Sequence, residues 1–197
     1  MKLKDLFEFK SGSLQSRLEA SNKSNTKSYF VYDRNCYLED TFQSLTNNSK
    51  TKQIKTTSDV VLVKQGDLIF NLQSGKAAII TQKHDKYILT QNFVKLIPRT
   101  SVSIEYILFL LNESKCFDRQ IKKYLQGSIV FKYTTKILKE IIVPELSVEN
   151  QKSIGKLYVD QLKQSNQLYK NILNRDRIVY QILDNIIGIK TEAKNGN

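Results

Sequence analysis

The chain has 197 residues, with 31 Lys or Arg against 19 Asp or Glu, and so carries a formal charge of +12. Apolar residues make up 40% and aromatics 10%, enough for a sizeable core and well clear of a disordered composition. The longest unbroken apolar run, Tyr106–Leu111, is six residues where a membrane span needs about twenty, and no signal-peptide stretch follows Met1. The expected location is therefore cytoplasmic, with no membrane partner. Two cysteines, Cys36 and Cys116, make neither a disulfide framework nor a metal-binding spacing.

The first 147 residues read mainly as short strands between polar turns. Ser28–Tyr32, Asp59–Val63, Asp67–Leu72, Ala77–Thr81 and Asn92–Ile97 are β-branched or aromatic runs flanked by Asp, Asn, Ser or Gly. Gln73-Ser74-Gly75-Lys76 joins two of them and predicts a hairpin with Gly75 at positive φ. Between Asp33 and Ser58 lies a long Thr-, Ser-, Asn- and Lys-rich stretch, the pattern of an insert or functional loop. Ser103 is placed to cap a helix through Tyr106, Ile107, Leu110 and Leu111. A second helix over about Lys115–Leu125 is apolar at Phe117 and Ile121 and stops near Gly127. Ser128–Tyr133 and Glu140–Val143 read as two further strands, the latter closed by Pro144.

After Pro144 the pattern changes. From Ser147, a good N-cap, to about Ile187 there is continuous helical periodicity without proline. Forty residues of helix reach about 60 Å, more than one compact domain requires. On heptads one seam carries Tyr158, Ser165, Ile172, Val179 and Ile186, with Leu162, Leu168, Ile182 and Leu183 beside it. A helix packed back on its own domain would explain such a stripe. A coiled coil with another helix explains its length better. The fold class expected is α+β: a β-rich domain over 1–146, a long helix over 147–190 and a polar tail over 191–197.

The charge clusters. Residues 1–145 hold 23 basic and 14 acidic groups, net +9, and 115–139 holds seven cations against the single anion Asp118. Cations interleaved with Tyr124, Phe131 and Tyr133 fit a nucleic-acid surface. Lys-rich solvated faces also arise from solubility alone. Catalytic patterns are missing. There is no GxGxxG, phosphate loop or GxSxG elbow. The only histidine, His84, sits in a polar turn and reads as solvated. Asp33, Glu39 and Asp40 lie in a stretch where acids balance Lys and Arg. No catalytic residue, metal site or cofactor is expected.

Three stretches resemble the specificity (S) subunits of type I restriction–modification systems. Gly66-Asp67-Leu68-Ile69-Phe70 with Gly75 resembles the family's glycine–aspartate hairpin. Asn92-Phe93-Val94-Lys95-Leu96, Tyr106–Leu111 and Gln126-Gly127-Ser128 resemble its middle region in order and spacing. Leu138–Pro144 followed by Glu149-Asn150-Gln151-Lys152-Ser153-Ile154 resembles the approach to its conserved helix, with Asn150 replacing a usual Glu. The resemblance implies a target recognition domain plus a conserved-region helix, non-catalytic, with double-stranded DNA and DNA methyltransferase (modification) subunits as partners. Full S subunits carry two such units, so a single unit implies a half-subunit that restores the layout as a homodimer through its helix. Whether a restriction subunit joins is left open.

On this reading, base contacts fall on the loop from Arg34 to Ile54 and on the tip Gln73, Ser74 and Lys76. Phosphate contacts fall on Lys122, Lys123, Lys132 and Lys136, with Tyr133 adjacent. The dimer interface comprises Leu162, Leu168, Ile172, Val179, Ile182, Leu183 and Ile186. Two alternatives stand beside it: a silent or truncated S-subunit cassette, and a basic coiled-coil interaction protein that binds an acidic partner.

Overall fold

The structure is a computed structural model that describes residues 1–14, 27–41, 51–125 and 133–188. Two compact units divide the chain after Val159. The first opens with α1 (Leu3–Leu6) and β1 (Phe7–Ser11) and continues with β2 (Lys27–Tyr32), α2 (Arg34–Asp40) and β3 (Gln53–Thr56). Then come β4 (Leu68–Asn71), β5 (Lys76–Ile79), β6 (Ile88–Leu89) and β7 (Phe93–Pro98). The helices α3 (Ile104–Glu113), α4 (Lys115–Leu125) and α5 (Thr135–Glu140) precede α6 (Val148–Ile187). The α+β class expected from the sequence is the one observed.

An antiparallel sheet in the order β1-β7-β4-β5 forms the core, and a second sheet has the order β3-β2-β6. All four residues of β4 are buried, as a short continuous apolar run predicts for a strand covered on both faces. Alternation explains the two coverings. Ile69 faces a cluster with Tyr32, Cys36, Tyr37, Ala78 and Phe93, whereas Phe70 lies against Phe117 and Tyr133, with ring centroids 6.3 and 5.8 Å away. The register Leu68↔Leu96 and Phe70↔Val94 keeps the apolar sets of β4 and β7 on shared faces.

The helices α3 and α4 form where their periodicity predicts. The Ser103 hydroxyl accepts the Tyr106 N–H at 3.2 Å, and Tyr106, Ile107, Leu110 and Leu111 are buried. Phe117 and Ile121 anchor α4. The expected strand Glu140–Val143 is instead the end of α5 and an extended run in which Ile142 makes one isolated bridge with Lys2. Thr134 caps α5 by accepting the Ile137 N–H at 3.2 Å, and the helix it starts runs on into the first residue of the expected strand. The expected strand Asp59–Val63 forms no named strand and contributes the Leu62–Ile88 bridge and three backbone bonds, Val63 N–H to Tyr87 O at 3.0 Å, Leu89 N–H to Val61 O at 2.8 Å and Lys86 N–H to Val63 O at 2.8 Å. The expected irregular stretch Asp33–Ser58 contains α2 and β3. Residues 42–50, the Gly127 cap and all of the Ser128–Tyr133 strand except Tyr133 lie outside the described residues; Tyr133 itself is not in a strand.

His84 corrects another expectation. It is 2% exposed, with Nδ1 2.9 Å from Asp40 Oδ1 and Nε2 3.2 Å from Glu39 Oε2. Asp40 also accepts hydrogen bonds from the Tyr32 hydroxyl at 2.8 Å and the Thr81 hydroxyl at 2.7 Å. Burial, and secondarily the Asp40 carboxylate, push the Tyr32 phenol well above its usual range. The cluster ties α2 to β2 and to the turn after β5, because a buried carboxylate is tolerated only when its lone pairs are filled.

At the surface, Glu140 accepts from Lys2 at 2.7 Å and from Lys4 at 2.9 Å, and these bonds lower its carboxyl from 4.5 to about 2. The ion pairs therefore stabilise the fold above pH 4.5, and that contribution fades as pH falls towards about 2. Glu140→Gln should flatten this part of the acid-unfolding profile and leave the neutral region little changed. Identical acid profiles for variant and parent would show that the pairs contribute nothing.

The first three turns of α6 belong to the first unit. Ser147 Oγ accepts the Asn150 N–H at 3.3 Å, and Gln151 Oε1 accepts the Ser103 N–H at 3.2 Å. A methyl at Gly155 would come within 2.7 Å of the Glu105 Cβ and the Tyr106 nitrogen, so glycine permits the close approach of α6 to α3. The second unit is helical from Asp160 to Ile187, followed by Gly188 at φ 81. Leu168, Ile172, Val179, Ile182, Leu183 and Ile186 are exposed there, and Leu162 is half-buried.

Candidate nucleic-acid interface

The tip between β4 and β5 is built by a side chain. Asn71 Oδ1 accepts the N–H groups of Gln73 at 2.8 Å and Ser74 at 3.2 Å, and the Gly75 N–H returns to the Asn71 carbonyl at 2.9 Å. Gly75 takes φ 70, the left-handed conformation that its sequence context predicts. Tyr133 lies directly over it, since a methyl at Gly75 would overlap the Tyr133 ring. The buried Tyr37 of α2 places its hydroxyl 3.3 Å from Ser74 Oγ.

Three segments distant in sequence thus converge on Ser74 and Gly75. Arg34 stands at the first turn of α2, exposed, behind Asp33, whose carboxylate accepts the Asn35 and Cys36 N–H groups at 2.8 and 3.0 Å. Lys76, expected at bases, is exposed and also paired within the fold. Its ammonium donates to the Asn112 carbonyl at the end of α3 and stands 3.7 Å from Glu113 Oε1. The Asn112 amide in turn brackets the backbone of Ala77, accepting its N–H at 2.7 Å and donating to its carbonyl at 3.1 Å. Tyr37 and Asn112 carry no sequence signal for these roles, because each acts on a turn at least 35 positions away.

On α4, Lys115, Arg119, Lys122 and Lys123 are exposed on the side opposite the buried Phe117 and Ile121. Among the described residues, neither these four nor Arg34 and Lys136 form an ion pair. Such a face has the charge to engage phosphates without first breaking internal pairs. Lys132 lies outside the described residues. Burial pushes the Cys36 thiol up to about 12, which leaves it unreactive. Among the described residues no group of His, Cys, Asp and Glu is arranged to hold a metal, and no helix is long and apolar enough to cross a membrane.

Among curated proteins none matches the sequence. The type I restriction modification DNA specificity domain matches residues 1–175. Three solved structures share the fold. The HsdS subunit from Thermoanaerobacter tengcongensis is 16% identical with a TM-score of 0.55, over 87% of this chain and 39% of that one. The type I restriction–modification S subunit from M. genitalium is 16% identical with a TM-score of 0.52, over 93% and 43%. A chain from a study of type I restriction–modification complex assembly and conformational transition is 15% identical with a TM-score of 0.56, over 95% and 43%. The chain thus spans about two fifths of the length of these solved chains. With the family model running through both the β-rich part and the start of α6, the chain belongs to the type I restriction–modification DNA specificity family, which is non-catalytic.

Proposed function

We propose that the chain is a half-length specificity subunit that reads duplex DNA and directs a separate methyltransferase to a bipartite site. Residues 1–146 read the DNA, 147–190 pair with a second copy, and 191–197 form a tail. The observation that carries this reading is the match of the type I restriction modification DNA specificity domain over residues 1–175. Two copies supply two reading domains, and a two-fold interface presents them to inverted half-sites. A restriction subunit would act at the same site if the system includes one.

The purified chain alone should transfer no labelled methyl groups to DNA, and addition of methyltransferase subunits should produce methylation at a two-part site. Methylation by the isolated chain would overturn the reading. The alternative reading is a silent or truncated S-subunit cassette. That reading predicts a chain that supports no methylation with any added methyltransferase subunit. A basic coiled-coil protein for an acidic partner has the family match against it.

A further inference from the structure

We propose that Gln73 is a base-reading residue, held at an adenine edge in the major groove by a hairpin tip clamped by Tyr37, Tyr133 and Asn112. The inference deepens the DNA-recognition reading above and rests on it. Three side chains at the tip have the chemistry to meet a base: Gln73, Ser74 and Lys76. Two of them are already engaged, Ser74 Oγ by the Tyr37 hydroxyl at 3.3 Å and the Lys76 ammonium by the Asn112 carbonyl and Glu113. Gln73 is exposed, and its side-chain amide has no hydrogen-bond partner among the described residues.

The clamp acts on the backbone that carries this amide. Asn71 Oδ1 fixes the Gln73 N–H at 2.8 Å, Tyr133 covers Gly75, and Asn112 brackets Ala77 just beyond the tip. A base-reading side chain needs such a mount, because a contact misplaced by about an ångström loses its selectivity. A carboxamide offers one donor and one acceptor side by side, which match adenine N7 and N6–H₂ in the major groove. Tyr37 is then a positioning residue. Its ring packs 5.7 Å from Phe93 in the core, and its hydroxyl alone reaches the tip.

Selection from a randomised duplex pool, using the chain assembled with its methyltransferase, tests this. The parent should yield a consensus with an A·T pair that Gln73→Ala no longer selects, at a cost of about 5- to 150-fold on the parent consensus. The salt dependence of binding, set by phosphate contacts, should keep the parent slope. Tyr37→Phe keeps the buried ring, and should weaken discrimination at the same base pair and speed hydrogen exchange at the Ser74 and Gly75 amides. If the Gln73→Ala protein selects the parent consensus unchanged, Gln73 is not a reader and the recognition reading stands. A parent that selects no sequence at all overturns both.

Discussion

Affinity for a duplex carrying the site should fall about 10³-fold or more between roughly 50 and 200 mM salt if six or more phosphates are engaged. Lys115, Arg119, Lys122 and Lys123 share one exposed side of α4, and Arg34 and Lys136 add two further exposed cations without ion pairs among the described residues. Each phosphate neutralised adds about 0.9 to the slope of log affinity against log salt. Replacing Lys122 and Lys123 by Gln should therefore lower the slope by about 2 and weaken all duplexes alike. Both side chains are exposed, so the fold should survive the change. Binding that ignores salt would remove the electrostatic interface.

Ile172→Glu with Val179→Glu should abolish self-association. Val179 is 44% and Ile172 47% exposed in the single chain, so about half of each side chain remains to be covered by a partner. Covering a whole Val or Ile contributes about 1.5–3 kcal/mol. Half of that, at two positions in each of two chains, gives about 3–6 kcal/mol, or about 10²- to 10⁴-fold in affinity, before four buried carboxylates are counted. Sedimentation of parent and variant measures the loss, and circular dichroism checks that the first unit stays folded. A parent that is monomeric at high micromolar concentration would remove the dimer and the inverted-repeat site with it.

Local patterns carried much of the architecture. The buried run of β4, the glycine turn after Asn71, and the caps Ser103 and Ser147 each work through neighbours a few residues away. Such signals are legible because the groups that stabilise the element lie within it. The long helix was equally plain, since an unbroken 3.6-residue period needs no partner to be recognised. The family resemblance rested on the residues of three stretches in order, from Gly66–Phe70 through Asn92–Leu96 to Leu138–Pro144.

Only the tertiary structure decided which polar side chains are paired within the fold. Lys76 and His84 look like exposed polar residues in turns. Lys76 is drawn to the carbonyl end of α3, and His84 is enclosed by Glu39 and Asp40, 44 residues away in the case of Asp40. α1 is four residues long, too short to show a period, and its Leu3 N–H is bonded to the Ile141 carbonyl at 2.7 Å near the other end of the same unit. Tyr37 meets Ser74 across 37 positions. A buried polar group must find a partner wherever the fold supplies one, and no local spacing encodes where that will be.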